Sequence, residues 1–123
     1  MTSPDVTFTE ATAEMATAYY GCQPPYSFKG YVALHEGRPI GVGGVFFSGD
    51  RPVAFSDMKD EMRPMLKAKA RAVRVLETLI RSFKVPVYAV AAESTSVGLL
   101  TKLGFTDTHQ KASAGPVMMR EPT

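Results

Sequence analysis

Three cations stand at the start of a predicted helix, in the segment MLKAKARAV (residues 65–73). Lys67, Lys69 and Arg71 alternate there with alanines. A helix N-terminus carries a partial positive charge, so cations in its first turn are unfavourable by roughly 0.3–1 kcal/mol each. The same helix end presents unpaired N–H groups and readily binds anions. One interpretation is therefore a phosphate-binding helix start, and the alternative is a solvated face made of good helix formers.

Two carboxylates follow predicted strands. Asp57 ends the strand VAFSD, and Glu93 follows the nearly all-apolar strand VYAVAA (87–92). Because ligands of open α/β sheets bind at the carboxyl ends of the strands, either group is a candidate general base. The alternatives are a turn or helix-cap carboxylate for Asp57 and a solvated loop charge for Glu93.

Other polar side chains give weaker signals. Five tyrosines could line a substrate pocket or donate a proton, although packing explains most of them more simply: Tyr19, Tyr20, Tyr26, Tyr31 and Tyr88. His35 lies next to a predicted turn, and we expect it to be solvated.

Three segments have helical patterns, and they cover residues 10–20, 64–83 and 95–103. In the longest, apolar residues recur at three- and four-residue steps, with Pro64 in the first turn. Thr9 or Thr12 can cap the first helix, and Ser94 or Thr95 can cap the third. Gly104 is placed to end the third helix.

Strand patterns cover residues 5–9, 28–35, 40–47, 53–57 and 87–92, with two short strands expected within 105–120. The turn at 36–39 makes a hairpin, in which Gly37 supplies a positive φ. The glycines of GVGG (41–44) fall inside a strand, which indicates a bulge or a close backbone approach rather than a phosphate loop. The element order predicts a mixed α/β sheet in which 53–57 and 87–92 form a central parallel pair that splays apart at its carboxyl end.

The composition bounds the class of protein. We expect a single domain over residues 1–123, since 45% hydrophobic and 21% charged residues are ordinary for a soluble globular chain. No apolar run approaches the ~20 residues of a membrane helix, and the first residues lack the features of a signal peptide. The single Cys22 suits a reducing cytoplasm. A net charge of +2 and only two histidines give no reason to expect a nucleic-acid partner or a metal.

The element order and two strings resemble the GNAT superfamily of acetyl-CoA-dependent N-acetyltransferases. The string ESTSVGLLTKLGF (93–105) is similar to the family's last core helix, Asn-x-x-Ala-x-x-Leu-Tyr-x-x-x-Gly-Phe. The string KAKARA (67–72) can be laid over the acyl-CoA signature Arg/Gln-x-x-Gly-x-Gly/Ala. Lys67 then takes the Arg/Gln position, and Ala70 and Ala72 take the glycine positions.

The resemblance implies a central mixed β-sheet with splayed parallel strands and about three helices. It also implies transfer of an acetyl group from acetyl-CoA to an amine by direct attack, with Asp57 or Glu93 as the base and no metal. The residues expected to bind the coenzyme are Ser56, Met65, Leu66, Lys67, Ala68, Lys69, Ala70, Arg71, Ala72 and Ser94.

Besides Lys67 and the alanines in the glycine positions, two residues of the string 93–105 depart from the family pattern. Leu100 stands where the family often has a tyrosine that protonates the departing thiolate, and Glu93 stands where the family has asparagine. The run 55–81, together with the last helix, resembles small GNAT-like proteins of tailed bacteriophages, some encoded among tail or internal-virion genes. The alternative function is therefore a GNAT-fold virion or interaction protein without catalysis, whose partner is a second copy or a virion protein.

Overall fold

The computed structural model describes residues 5–24, 26–91 and 94–122, and these contain one seven-stranded sheet and three helices. The strands are β1 (Val6–Glu10), β2 (Phe28–His35), β3 (Arg38–Ser48), β4 (Arg51–Met58), β5 (Val87–Val90), β6 (Thr106–Ala112) and β7 (Gly115–Arg120). The helices are α1 (Ala13–Tyr20), α2 (Leu66–Arg81) and α3 (Ser94–Lys102).

The sheet has the order β1-β2-β3-β4-β5-β7-β6, and its only parallel neighbours among the described strands are β4 and β5. These two strands pair over just two positions, Val53 with Tyr88 and Ala54 with Ala89. Because β4 continues to Met58 without β5 beside it, the strands separate toward their carboxyl ends. The predicted mixed sheet with a splayed parallel pair is confirmed.

The first hairpin turn is shorter than the predicted span of 36–39. Arg38 already pairs with His35, which leaves a two-residue loop of Glu36 and Gly37. Both loop residues have positive φ, 53° and 77°, as a type I′ turn requires. The predicted role of Gly37 is confirmed.

Two helix starts were predicted too early. Residues up to Glu10 pair with β2, so α1 begins at Ala13, with the predicted cap Thr12 accepting a hydrogen bond from the Met15 amide at 3.2 Å. Pro64 belongs to a turn before α2, which begins at Leu66.

The limits of β5 and α3 also differ from the prediction. β5 ends at Val90 rather than at residue 92. Helix α3 begins at Ser94, so both predicted cap positions, Ser94 and Thr95, lie within the helix.

Both faces of the sheet are covered. Helix α2 buries a stripe at four-residue spacing, made of Ala68, Ala72, Leu76 and Ile80. This stripe belongs to the same core as Ala33 of β2, whereas Tyr19 of α1 packs with Val32. Neighbouring residues of a strand point to opposite faces, so α1 and α2 lie on opposite sides of the sheet.

The end of α3 follows a Schellman motif. The Phe105 amide donates to the Leu100 carbonyl at 2.9 Å, and the Gly104 amide donates to the Thr101 carbonyl at 3.0 Å. Gly104 has φ 91°, which favours glycine, so its predicted role as the helix stop is confirmed. Arg120 Nε adds a hydrogen bond to the Leu103 carbonyl at 2.9 Å and ties the helix to β7.

A hydrogen-bonded network of Glu61, Arg38 and His35 links the first hairpin to the turn before α2. The Glu61 carboxylate accepts two hydrogen bonds from Arg38, both of 3.0 Å, and lies 2.6 Å from Nδ1 of His35. The His35 side chain is only 16% exposed, so the prediction that it is solvated was wrong. Its hydrogen-bond partner Glu61 lies 26 residues away and leaves no periodic signal in the sequence.

Replacing Glu61 with glutamine should make the protein less stable at pH 7, with a difference that shrinks in acid. The Arg38 and then the His35 hydrogen bonds lower the pKa of Glu61 from 4.5 to about 2. A lowered pKa in the folded state stabilises the protein above the ordinary value, and this contribution is lost as the pH falls from about 4.5 to 2. Thermal unfolding of both proteins between pH 7 and 2 measures the effect. A constant difference in Tm would contradict it, and Glu14→Gln on exposed α1 is the control for the loss of one surface charge.

Candidate active site

A cavity of about 400 Å³ opens where β4 and β5 separate. Its lining comes from both strands, from α2 and α3, and from the turn before α2. The residues are Ala54, Phe55, Ser56, Asp57, Met58, Arg63, Lys69, Leu76, Ile80, Ala89, Val90, Leu99, Leu100 and Leu103. The α2 and α3 walls are mainly apolar, while two cations and one carboxylate lie at the edges.

The inner edge of the cavity is the backbone of β4. Successive amides of a strand point alternately to its two neighbours, and beyond Ala54 the neighbour β5 has diverged. Alternate N–H groups of β4 between Phe55 and Met58 therefore face the cavity edge without a strand partner. Such donors can polarise a carbonyl group that lies beside the strand.

The N-terminus of α2 lies at the cationic edge. The N-cap residue Met65 makes no side-chain cap hydrogen bond, and the first turn carries no acidic residue. Lys69 lines the cavity, and its Nζ donates to the Arg63 carbonyl at 3.0 Å. Arg63 also lines the cavity and pairs through Nε with Asp60 at 3.1 Å. Uncapped amides and two cations make this end of the cavity favourable for an anion.

Most of the residues predicted to form the site lie in three different places: the cavity lining, the core and the exposed surface. Ser56, Asp57 and Lys69 line the cavity. Ala68 and Ala72 are buried in the core under α2, where their small size lets the helix approach the sheet, and Met65 packs against the same core. Leu66, Lys67 and Ala70 are exposed. Ser94 is the first residue of α3, and Glu93 lies outside the described residues.

Arg71 does not line the cavity. Its Nη1 donates to the Val6 carbonyl at 3.0 Å, and its guanidinium lies 4.8 Å from the centroid of the Phe8 ring. The contact ties α2 to β1, which accounts for one of the three cations that seemed misplaced in the first turns of the helix. No pattern in the sequence links Arg71 to a strand 65 residues away.

Asp57 is held by a tyrosine of α1. Tyr20 donates its hydroxyl to Asp57 Oδ2 at 2.8 Å. Burial and the Asp57 hydrogen bond raise the pKa of Tyr20, and burial followed by the Asp57 charge raises the pKa of Tyr19 to about 12. Both phenols therefore keep their protons at neutral pH, and Tyr20 remains a donor. The sequence identified both Tyr20 and Asp57 as candidates but gave no signal that they meet.

Four aromatic rings, Tyr26, Phe28, Phe46 and Phe55, form a contact group that we call the aromatic cluster. Tyr26 stacks on Phe46 with centroids 4.0 Å apart, and Phe28 meets Phe55 edge-on at 4.9 Å. Phe55 lines the cavity between β4 and β5. Tyr26 and Phe28 line a second cavity of about 750 Å³, which lies between α1 and residues 23, 24 and 26–28. The cluster thus forms a wall common to both spaces.

Comparison with known proteins identifies the fold. No known protein family and no curated protein matches the sequence. Among solved structures, the chain is similar to the ribosomal-protein-S18-alanine N-acetyltransferase from Escherichia coli, with TM-score 0.64 and 11% identity over 94% of this chain and 93% of that one. It is similar to an aminoglycoside acetyltransferase, AAC(6')-Ib, in complex with coenzyme A, with TM-score 0.61 and 16% identity over 95% of each chain.

A third similar structure is an acetyltransferase of the GNAT family from Streptococcus pneumoniae, with TM-score 0.60 and 11% identity over 97% of this chain and all of that one. The chain therefore has the fold of GNAT acetyltransferases, as the sequence predicted. At these identities the likeness establishes the fold, and the activity has to be argued from the site.

No three His, Cys, Asp or Glu side chains of residues 5–24, 26–91 and 94–122 lie together in a way that could hold a metal ion. No helix in that part of the chain is long and apolar enough to cross a membrane.

Proposed function

We propose that the protein binds acetyl-CoA and transfers its acetyl group to an amine by direct attack. The observation that carries the proposal is the cavity between the diverging strands β4 and β5. Its lining brings together Lys69 from the first turns of α2, apolar walls, the part of β4 that β5 does not pair, and the Asp57 carboxylate. A solved structure with the same fold holds coenzyme A.

The coenzyme would use the two ends of the cavity differently. Its phosphates would bind at the start of α2, near Lys69, Arg63 and the exposed Lys67, where uncapped amides favour negative charge. Its thioester would lie beside β4 near Ser56. The exposed Ala70 occupies a position where the family has glycine, so the backbone there approaches a phosphate less closely than it would with glycine, whereas Ala72 faces the core.

Asp57 would act as the general base. It takes one proton from the ammonium group of the acceptor, and the neutral nitrogen attacks the thioester carbonyl carbon. The carbon–nitrogen bond forms as the carbon–sulfur bond breaks, and free β4 amides stabilise the negative charge on the carbonyl oxygen. The second proton of the nitrogen goes to the sulfur, giving an amide and a thiol. Since Asp57 is exposed, it returns its proton to solvent.

A specific observation favours a second candidate, a coenzyme-binding or virion-associated protein without catalysis. Leu100 lines the cavity at the position where the family often has a tyrosine acid, and leucine donates no proton. In the enzyme, water would have to deliver the proton to the sulfur. In the alternative, the phage-like protein would keep the fold to bind a second copy or a virion partner.

Acetyl-CoA should bind with Lys69 as a main charged contact. At 100 times its dissociation constant, the ligand should stabilise the fold by about 2.7 kcal/mol, which a thermal shift detects. Lys69→Gln keeps a donor for the Arg63 carbonyl but loses the charge, and should weaken binding about tenfold in calorimetry. Lys84→Gln, beyond the opposite end of α2, is the matched control and should bind normally. Absence of binding at millimolar acetyl-CoA would contradict the proposed function.

A further inference from the structure

Asp57 and the aromatic cluster share one face of the sheet. Phe55 and Asp57 are two residues apart on β4, so their side chains point the same way from positions roughly 7 Å apart. Tyr20 of α1 contacts Asp57 on that face, and Phe28 of the cluster packs there as well. The Asp57 carboxylate therefore lies close enough to the aromatic cluster for one small ligand to contact both.

The Asp57 carboxylate forms no ion pair with the described part of the chain. It accepts a hydrogen bond from the neutral hydroxyl of Tyr20. An ammonium group at Asp57 would be attracted by the carboxylate and by the faces of neighbouring rings. The negative charge of Asp57 also acts on the aromatic cluster. Burial raises the pKa of Tyr26, and the Asp57 charge raises it further.

The cluster has room for another ring. The Tyr26 side chain is 38% exposed, although it is a large aromatic group. It borders the second cavity of about 750 Å³, whereas Phe55 borders the cavity between β4 and β5. A ligand that starts at Asp57 can thus continue along Phe55 to Tyr26 and into open space.

The two cavities are poor in the charges that a polycation would need. Among their described lining residues, the only carboxylates are Asp57 and Glu14. A ligand with several ammonium groups would leave most of them without a partner. One carboxylate beside stacked rings fits a single ammonium joined to an aromatic group.

We infer that the acceptor is a primary amine that carries an aromatic ring, with its ammonium at Asp57 and its ring against Tyr26 and Phe55. The inference rests on the proposed function, since it names the acceptor of the same acetyl transfer.

Acetyl transfer to two matched amines tests the inference. Phenylethylamine and ethanolamine both present an ammonium on a two-carbon chain, and only the first has a ring. We expect kcat/KM to be about tenfold higher with phenylethylamine, because its ring adds an aromatic contact and buries apolar area. Tyr26→Ala should raise the KM for phenylethylamine about tenfold with little change in kcat, the pattern of a lost binding contact. Phe47→Ala is the matched control, since Phe47 is an exposed aromatic outside the cluster.

The outcomes separate the two proposals. If acetyl-CoA binds and ethanolamine is acetylated as well as phenylethylamine, the inference fails and the proposed function stands. If acetyl-CoA does not bind, both fail. If acetyl-CoA binds without turnover, calorimetry of the coenzyme-saturated protein with phenylethylamine decides: binding that Tyr26→Ala weakens supports the inference, and no binding overturns it. Tyr26→Leu replaces Tyr26→Ala if the alanine variant does not fold.

Discussion

Replacing Asp57 with asparagine should lower kcat for acetyl transfer by at least about 100-fold, because general bases contribute typically 10²–10⁴-fold. Asparagine has nearly the same shape and can still accept the Tyr20 hydroxyl, which donates to Asp57 at 2.8 Å in the native protein. It cannot take a proton from an ammonium group. The dissociation constant of acetyl-CoA should stay within about twofold, since the coenzyme phosphates lie at the start of α2 in the proposal. Steady-state kinetics and calorimetry measure the two quantities.

Two further variants make the result specific. Asp50→Asn, in the turn between β3 and β4, removes a surface carboxylate away from the cavity and should leave kcat unchanged. Tyr20→Phe keeps the carboxylate but removes the hydroxyl that holds it, and should produce a smaller loss than Asp57→Asn. An Asp57→Asn protein with kcat within threefold of the native value would rule Asp57 out as the base and leave Glu93 as the remaining candidate.

Replacing Gly30 with alanine should strongly destabilise the protein. A Cβ at Gly30 would overlap the Gly43 carbonyl oxygen and lie 2.6 Å from the Gly44 Cα, and both contacts are with backbone of the paired strand β3. Backbone in the middle of a sheet cannot move aside as a flexible side chain does. We expect a loss of about 4 kcal/mol or more, a large part of the 5–15 kcal/mol typical of whole domains. Urea unfolding measures the loss, or the absence of a cooperative transition shows it.

Gly98→Ala is the matched control. Gly98 lies in α3 with open space where a Cβ would stand, so alanine should stabilise the protein by up to about 1 kcal/mol through its higher helix propensity. Opposite signs from the same chemical change would show that Gly30 is required for close strand contact. A cooperative Gly30→Ala protein of native stability would mean that β2 and β3 are spaced further apart than described.

The sequence predicted local features well. The hairpin glycine, the Gly104 helix stop and the small residues of GVGG each act through their own backbone. Gly44 lies close to the backbone of Gly30, which agrees with the close backbone approach predicted for GVGG. The parallel pairing of β4 with β5 followed from the order of elements. Such features depend on residue type and periodicity, which can be read along the chain.

Contacts between distant residues were not predictable in the same way. Tyr20 reaches Asp57 across 37 positions, and Arg71 reaches Val6 across 65. One cation of the basic helix start therefore serves packing, while another, Lys69, lines the cavity. The sequence suggested one role, anion binding, for Lys67, Lys69 and Arg71. Their different roles depend on the direction of each side chain, which the sequence does not show.

The two-residue pairing between β4 and β5 has a consequence for cooperativity. Four strands with α1 and α2 precede this junction, and three strands with α3 follow it, so hydrogen bonds of the sheet cross it at just two residue pairs. Because so few residue pairs hold β4 to β5, we expect the sheet to separate first at this junction when the protein partly unfolds. A coenzyme lying in the gap would touch β4, β5, α2 and α3 together. It would then link two parts of the sheet that are otherwise joined across the gap by two residue pairs and by the apolar core that they share.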